Sequence, residues 1–393
     1  MLSDDPVLRD FFRSPSFGDI SGPWRPGSIR DQAVRACLVI ERAIQRGWIS
    51  HERPLAVVGA GIAGITAAVL ARREKIPVTI YESEKPMAVL SRSFRWVDPV
   101  AYDWPHAWWA EGRFPQSAER WPIQIEAGEA RTVAIQFADL LQQDPEIQLI
   151  IRTIDDLEDL IDKQTFVLDC RGVKSERTRS GRFEGLPFWD RRDPLLVAAV
   201  AAVAAKIGAR PRVLISGGGD GAIQDFLLLA TGVKSIIELA QAVGLSTSPS
   251  PGSKTDLAAF ERAALSIEER CWRELCWADP RDQAKEERIG QQLDQFYRHW
   301  ADELALRRLP RNPAQCEFTL VRRCESHSTC YPLNRLLAIL AEQEFHVTPH
   351  LGELDSMALS PDDFDMVSIR HGIEASSAPG RTVRRQALPF TFS

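Results

Sequence analysis

The feature that most constrains the fold is a glycine-rich turn, Gly59-Ala-Gly-Ile-Ala-Gly64, that stands between a buried strand and a helix. The apolar run Leu55–Val58 before the turn is typical of a strand buried on both faces, and residues 62–73 after it suit a helix. A second strand is predicted at 78–81, and Glu82 follows it directly. Strand, glycine turn, helix and strand in this order predict a βαβ unit with two parallel strands.

The spacing of the three glycines gives each one a separate task at a dinucleotide pyrophosphate. Gly59 permits the tight turn, Gly61 lets the backbone approach the phosphates, and Gly64 lets helix and strand pack closely. The phosphates then lie on backbone N–H groups at the positive end of the helix. A carboxylate at Glu82 accepts hydrogen bonds from both ribose hydroxyls and repels a 2′-phosphate, which disfavours NADP at this site. The residues predicted to hold the cofactor at this turn are Gly59, Ala60, Gly61, Ile62, Ala63, Gly64 and Glu82.

The same arrangement recurs in the second half of the chain. The buried run 212–215 leads into Ser216-Gly-Gly-Gly-Asp-Gly-Ala222, and a helix is predicted from about Ile223. A repeated strand, glycine turn and helix predict an α/β protein with two Rossmann-like domains. A charged stretch with helical periodicity, about 250–310, is predicted to be a helical insertion in the second domain.

The two glycine turns resemble those of flavoproteins with two dinucleotide-binding domains, a group that includes thioredoxin- and glutathione-reductase-like enzymes and flavin-containing monooxygenases. In that group the first turn holds the ADP moiety of FAD, and a later strand ends in an Ala-Thr-Gly-like turn. Residues 166–172 stand at that place here, with Gly172 retained but the alanine and threonine replaced. The second turn is similar to the Gly-Gly-Gly-Asp-Ser-Ala turn that holds the nicotinamide cofactor in thioredoxin-reductase-like enzymes. The resemblance therefore implies FAD at the first turn, with Gly172 beside it, and NADH or NADPH at Gly217, Gly219 and Ala222.

The region after the second turn leaves two interpretations open. Enzymes that use NADPH place basic residues after the next strand, whereas the stretch 235–241 carries Glu238 and is preceded only by Lys234. Either Glu238 marks a preference for NADH, or the second domain has lost its nucleotide and shapes a substrate pocket. Asp220 within the turn is unfavourable near a pyrophosphate unless its carboxylate faces a ribose or a backbone amide.

The length of 393 residues predicts more than one domain. The expected divisions are an N-terminal arm and helix at 1–50, an FAD-binding domain at 51–186, a second Rossmann-like domain at 187–375 and a tail at 376–393.

A tryptophan-rich segment supplies the candidates for chemistry. Five of the 11 tryptophans fall between Trp96 and Trp121, where flavoproteins of this group run the chain past the isoalloxazine. Arg95 is the candidate to stabilise an anionic flavin or a substrate carboxylate, and Asp103 and His106 are the candidates for proton transfer. The alternative is that these tryptophans fill a core or a domain interface.

Composition excludes several other classes of function. A net charge of -6 and a pI near 5.8 give no reason to expect a nucleic-acid partner. The N-terminus lacks a secretory signal pattern, and the longest apolar run, 195–205, is too short to cross a bilayer. Seven cysteines without a Cys-x-x-Cys pair predict reduced thiols in the cytoplasm and no dithiol redox centre. Cys324, His327 and Cys330 lack a fourth ligand, so no metal site is predicted.

These observations predict an FAD-dependent oxidoreductase that acts on a small molecule, with NAD(P)H as donor and a reductase or monooxygenase type of reaction. One alternative is an amine-oxidase-like enzyme that uses O₂. Another is a nucleotide-binding sensor or scaffold without turnover, which the altered turn at 166–172 and the missing basic pair favour. A third is NAD at the first turn without any flavin. The sequence leaves the substrate and the oligomeric state open.

Overall fold

The structure is a computed structural model that describes residues 6–21, 29–97, 123, 126–161, 164–172, 176–190, 192, 195–245, 263–264, 266–267, 283–304, 308–325, 327 and 330–372.

Helices and short strands alternate along most of the chain. The strands are β1 (Phe12–Ser14), β2 (Phe17–Asp19), β3 (Leu55–Val58), β4 (Val78–Glu82), β5 (Trp96–Val97), β6 (Gly128–Glu129), β7 (Ile147–Ile151), β8 (Phe166–Asp169), β9 (Arg179–Ser180), β10 (Phe183–Glu184), β11 (Arg212–Ser216), β12 (Glu317–Arg322), β13 (His350–Leu351) and β14 (Met366–Ile369). The α-helices are α1 (Pro6–Phe11), α2 (Ile29–Gln45), α3 (Ile62–Arg73), α4 (Ala130–Gln143), α5 (Leu195–Ile207), α6 (Asp220–Thr231), α7 (Ile236–Ala242), α8 (Gln283–Leu304) and α9 (Pro332–Glu344). Short 3₁₀ turns occur at Leu90–Arg92, Glu158–Leu160, Leu354–Ser356 and Pro361–Asp363.

The chain divides into two compact units. The first unit comprises Met1–Arg92, Trp109–Lys174 and Ala375–Ser393, and the second comprises Ser93–Trp108 and Ser175–Glu374. These bounds differ from the expected ones, and packing explains two of the differences. The N-terminal segment joins the first unit because β2 pairs with β8 and α2 packs on α3. The hairpin β9–β10 joins the second unit because its Phe183 lies in a core cluster with residues of β11, β12 and β14.

The first unit is built on a sheet with the strand order β1-β2-β8-β3-β4-β7. Its ladders are parallel except that between β1 and β2. If β3 is taken as strand 1, then β4, β7 and β8 are strands 2, 3 and 4. The order 3-2-1-4 is the one that dinucleotide-binding units use. The central strands β3 and β8 are buried at every residue, as strands covered on both faces must be.

Helix α3 packs closely because its sequence is rich in alanine. Ala67, Ala68 and Ala71 are fully buried, and these small side chains let α2 approach the helix backbone. The predicted bounds of this helix, 62–73, agree with the observed ones.

The second unit repeats the plan on a sheet of order β13-β12-β11-β14, with parallel ladders throughout. With β11 as strand 1, this order is again 3-2-1-4. Alternation along β11 sends Val213 and Ile215 into a core with α6, α8 and α9, while Leu214 joins the cluster on the opposite face. The prediction of an α/β fold with two Rossmann-like domains is therefore confirmed.

The helical insertion separates the first two strands of the second unit. Helices α7 and α8 lie in the chain between α6 and β12, and α8 buries Tyr297, Ala301 and Leu304 in the core that also contains α9. Within the residues given above, none of the helices combines the length and the apolar character needed to cross a membrane.

Candidate functional site

The first glycine turn has the geometry that its spacing predicts. Gly59 has φ +106°, and a Cβ there would lie 2.8 Å from the carbonyl oxygen of Cys170. Its amide donates to the carbonyl of Tyr81 at 2.8 Å, which ties the turn to β4. A Cβ on Gly64 would lie 1.9 Å from the carbonyl oxygen of Gly59, so only glycine lets α3 pack this closely on the turn.

Gly61 is the position at which a ligand can approach. Among the described residues other than Gly61 and its two chain neighbours, no heavy atom lies within 4 Å of the position that a Cβ on Gly61 would take. Gly61 is also the N-cap of α3, and no side chain caps this helix start in the part of the chain described. The amides of the first turn of α3 therefore face an open space at the positive end of the helix dipole, which suits a pyrophosphate.

Glu82 is held at this turn by backbone amides. Its Oε2 accepts from the amide of Ala60 at 2.7 Å, and its Oε1 accepts from the amide of Glu84 at 3.1 Å and from the hydroxyl of Ser83 at 3.0 Å. The carboxylate thus stands at the end of strand 2, beside the glycine turn, where it can accept from ribose hydroxyls.

The turn after β8 adjoins the first glycine turn. The amide of Cys170 donates to the carbonyl of Val58 at 2.8 Å, and Gly172 has φ +69° with open space around its Cβ position. Asp169 is fully buried and forms a two-pronged ion pair with Arg171, at 3.0 and 2.9 Å. Burial raises the pKa of Cys170 well above its ordinary value, which disfavours the nucleophilic thiolate.

The second glycine turn repeats the first in its main features. Gly217 has φ +141°, and a Cβ there would lie 2.5 Å from the carbonyl oxygen of Arg370. Gly219 is the N-cap of α6 and has open space at its Cβ position. Ala222 occupies the third position and is buried against the core. Helix α6 begins at Asp220, three residues before the predicted start at Ile223.

Asp220 does not point an unpaired charge at the turn. Its Oδ1 accepts from the amide of Tyr331 at 2.9 Å and from Nδ2 of Asn334 at 2.7 Å. These bonds link the start of α6 to the start of α9. The carboxylate therefore faces a backbone amide, which is one of the two arrangements that make it compatible with a nearby pyrophosphate.

The stretch 235–241 is not preceded by a strand, so the interpretation of Glu238 as a ribose-binding acid is wrong. Ser235 is the N-cap of α7 and accepts from the amides of Ile237 at 3.1 Å and Glu238 at 3.3 Å. Glu238 lies in the first turn of that helix, and its Oε2 accepts from the amide of Lys234 at 3.2 Å. A capped helix replaces the expected strand because the insertion begins here.

Strand 2 of the second unit is β12, which ends at Arg322 and is followed directly by Arg323. These two arginines were not among the residues predicted from the sequence. Arg322 is buried, donates to Oε1 of Glu342 at 3.0 Å and contacts His327. Arg323 is exposed, and its Nε lies 2.6 Å from Oε1 of Glu353. The sequence carries a signal for this pair, because Arg322-Arg323 directly follows the largely apolar run 318–321.

Ser216 and His371 meet at the end of the second sheet, where strand 1 lies beside strand 4. The Oγ of Ser216 and the Nε2 of His371 are 2.7 Å apart. Burial lowers the pKa of His371, and the charge of Arg323 lowers it further. Gly372 follows with φ +79°, so 370–372 in the second unit corresponds to 170–172 in the first.

Arg95, a candidate for flavin or substrate contact, lies in the second unit and is buried. It donates to Oδ1 of Asp225, and its guanidinium lies 3.7 Å from the ring centroid of Phe188. Asp225 also accepts from Arg370 at 2.8 Å and from Ser368 at 2.7 Å. Burial alone would raise the pKa of Asp225, but the two arginines and the serine outweigh it and lower that pKa. Arg95 is thus a structural partner of a buried carboxylate.

Of the other residues considered for catalysis or metal binding, some lie within the described part of the structure and some outside it. Asp103 and His106 lie outside the described residues, as does most of the tryptophan-rich segment, while Trp96 lies on β5 and is exposed. His327 is buried and contacts Asp294 and Glu342 at 3.4 and 3.1 Å. Among the residues with described positions, no group of His, Cys, Asp or Glu side chains could hold a metal ion.

Comparisons with known proteins agree with the position of the first glycine turn. Residues 57–120 match the family model of the NAD(P)-binding Rossmann-like domain. No curated protein matches the chain.

Similar solved structures include members of the enzyme classes that the glycine motifs resemble. Thioredoxin reductase from Lactococcus lactis has a TM-score of 0.26 and 14% identity, over 45% of this chain and 52% of that one. OTEMO in complex with FAD and NADP has a TM-score of 0.35 and 12% identity, over 83% and 72%. Oxidized steroid monooxygenase bound to NADP has a TM-score of 0.32 and 14% identity, over 82% and 71%. The chain thus spans about half of the thioredoxin reductase.

Proposed function

We propose that the protein is an FAD-dependent oxidoreductase that takes hydride from NAD(P)H. The observation that carries this proposal is that the 3-2-1-4 unit occurs twice. The side chains at the end of strand 2 have opposite charges in the two units. In the first unit strand 2 ends in Glu82, and in the second it ends in Arg322 followed by Arg323. In the first unit the carboxylate of Glu82 suits free ribose hydroxyls, and in the second unit the ion pair of Arg323 with Glu353 stands at the corresponding place. Two units with different groups at the end of strand 2 favour two different dinucleotides.

The residues of the first unit fit FAD. The open space at Gly61 allows the pyrophosphate to approach the amides of Ile62 and Ala63. Within the same turn, the amide of Ala60 donates a hydrogen bond to Glu82. Gly59 and Gly64 allow the turn and the helix to take the required positions, and Gly172 offers a further open backbone at the end of strand 4.

The second unit fits a nicotinamide dinucleotide in the same manner. The open position at Gly219 allows a pyrophosphate at the start of α6, while Gly217 and Ala222 set the turn and the packing. Asp220 is already satisfied by α9, which removes the main objection to a phosphate at this turn. Arg323 is exposed directly after the end of strand 2, where it is paired with Glu353.

When bound, the flavin supplies the redox chemistry, since it accepts a hydride from a donor and passes the electrons on. The chain binds and orients the two dinucleotides through backbone amides and the residues at the strand ends. Asp103 and His106 are our candidates for holding or moving a proton at the substrate. We assign Arg95 a positioning role, since it forms an ion pair with Asp225 and the segment that contains both candidates follows it in the chain. The reaction is of the reductase or monooxygenase type.

A second candidate function is favoured by the family model. Its description is NAD(P)-binding, and it matches the part of the chain in which we propose FAD. A dehydrogenase-like or regulatory protein with NAD at the first turn would need no flavin. Such a protein would be colourless even after incubation with FAD, and an NAD-binding sensor would also lack turnover. An O₂-dependent amine oxidase would hold flavin that a nicotinamide nucleotide does not reduce.

Anaerobic reduction of the FAD-loaded protein distinguishes these candidates. NADH or NADPH is added without oxygen, and the visible flavin absorption is followed by stopped-flow spectrophotometry. We expect the flavin bands to bleach with at least one nucleotide and to return when O₂ or an electron acceptor is admitted. Persistent bands with both nucleotides would contradict the NAD(P)H-dependent function and favour the oxidase or the sensor.

A further inference from the structure

An ion pair at the end of the second sheet joins strand 2 to strand 3. Strands β12 and β13 are parallel, with Val321 opposite His350 and Arg322 opposite Leu351. The amide of Gly352 donates to the carbonyl of Arg322 at 2.9 Å, which extends the ladder by one bond. Arg323 and Glu353 therefore follow the ends of two neighbouring strands. The Nε of Arg323 lies 2.6 Å from Oε1 of Glu353. Both are exposed, so a ligand can reach either one.

This ion pair lies at the carboxyl ends of the strands, as the glycine turn does. A Cβ on Gly218 would lie 3.6 Å from Cβ of Arg322, so the end of β12 contacts the turn itself. In a unit of this topology the ribose that is linked to adenine lies over the end of strand 2. Arg323 follows that end directly, and Glu353 is its immediate neighbour.

The charges of Arg323 and Glu353 also affect the pKa of His371 at the end of strand 4. His371 is half-buried at that end, and burial is the largest cause of its lowered pKa. Arg323 lowers this pKa further and Glu353 raises it, while Arg177 and Asp355 act in the same two directions. Two cations and two anions thus act on His371 in opposite directions.

We propose that Glu353 sets the nucleotide preference of the second unit in favour of NADH, an inference that rests on the proposed function. A 2′-phosphate carries nearly two negative charges at neutral pH and must take Arg323 away from Glu353. The carboxylate then remains close to the phosphate without its partner. NADH requires no such exchange, because its 2′-hydroxyl can donate a hydrogen bond to the carboxylate that is already in place.

Titration calorimetry with NAD⁺ and NADP⁺ measures this preference directly, without turnover. The full-length, FAD-loaded protein is compared with Glu353→Gln, Arg323→Gln and the double variant at low ionic strength. Glu184→Gln is the matched control, since Glu184 is also exposed, lies in the same unit and pairs with Arg179 at 2.9 Å. Removing one charge next to a doubly charged phosphate is expected to shift the ratio of the two dissociation constants about tenfold toward NADP⁺ in Glu353→Gln.

The double variant identifies the route of this effect. We expect it to lose the gain in NADP⁺ affinity, because the phosphate then has no arginine to capture, and we expect Glu184→Gln to match the wild type. An unchanged ratio in Glu353→Gln would overturn the inference and leave the proposed function intact. Binding of neither nucleotide to the wild type, together with flavin that neither one reduces, would overturn both.

Discussion

Two alanine substitutions in the first glycine turn should have opposite effects on folding and on cofactor binding. At Gly64 a Cβ would lie 1.9 Å from the carbonyl oxygen of Gly59 and 3.1 Å from a methyl carbon of Val57. At Gly61 a Cβ would meet no heavy atom within 4 Å, and φ there is −84°, which any residue can adopt. The first substitution therefore disturbs the packing of α3, whereas the second intrudes only into the space proposed for the pyrophosphate.

The distances give the expected magnitudes. Because ordinary carbon–oxygen contacts need more than 3 Å, Gly64→Ala forces α3 or the turn to move by over 1 Å. Overpacking of a rigid core costs about 1–3 kcal/mol, and we expect the upper end because the opposing atom belongs to the backbone. Gly61→Ala exchanges one N-cap residue for another, which costs less than about 1 kcal/mol. Its methyl group should nevertheless exclude the pyrophosphate and lower FAD affinity at least about tenfold, or about 1.4 kcal/mol.

Urea unfolding of the apoproteins measures the first effect, and titration with FAD measures the second. Gly64→Ala should lose stability before any cofactor is added. Gly61→Ala should unfold like the wild type and bind FAD poorly. Wild-type FAD affinity in a well-folded Gly61→Ala protein would refute the assignment of the pyrophosphate to this turn. Unchanged apoprotein stability in Gly64→Ala would refute the packing argument.

Three further predictions concern single side chains. Asp225→Asn leaves the buried charges of Arg95 and Arg370 uncompensated and should lower the free energy of unfolding by about 3 kcal/mol in urea titrations. Because the pKa of Asp225 is lowered on folding, its stabilisation is present above about pH 3.9 and is lost as the pH falls through the folded-state pKa, so this variant should also show a flatter stability curve in acid. Glu82→Gln should weaken FAD binding about tenfold, since its amide cannot accept from both ribose hydroxyls, whereas Glu84→Gln should bind as the wild type does. The pKa of His371 is lowered in the folded protein, so the unfolded chain binds a proton at higher pH than the folded chain does. The free energy of unfolding should therefore decrease as the pH falls from about 6.5 to the folded-state pKa. His371→Gln should remove that slope in unfolding titrations, and the exposed His350→Gln should retain it; equal slopes in both variants would contradict the assignment.

The sequence was sufficient for the parts of the fold that depend on local patterns. The bounds predicted for α3 agree with those observed, and both glycine turns lie between a strand and a helix as expected. These elements are predictable because a buried strand and an alanine-rich helix each have a distinct period, and because glycine is needed where φ is positive.

The parts that were not predictable depend on contacts between distant segments. The apolar residues that follow Ser235 suit a strand as well as a helix, and only the cap on α7 and the intervening insertion make β12 strand 2 of the second unit. The burial of Arg95 is of the same kind. Its partner Asp225 lies 130 residues away in the chain, and a single sequence offers no means of pairing them.

The central claim is that the first unit holds one FAD per chain, and a spectroscopic titration of the purified full-length protein with FAD tests it most directly. The expected result is a yellow protein with one tightly bound flavin per chain, and loss of that flavin in Gly61→Ala. A folded protein that remains colourless after incubation with excess FAD, or that binds NAD⁺ at the first turn instead, would contradict the claim.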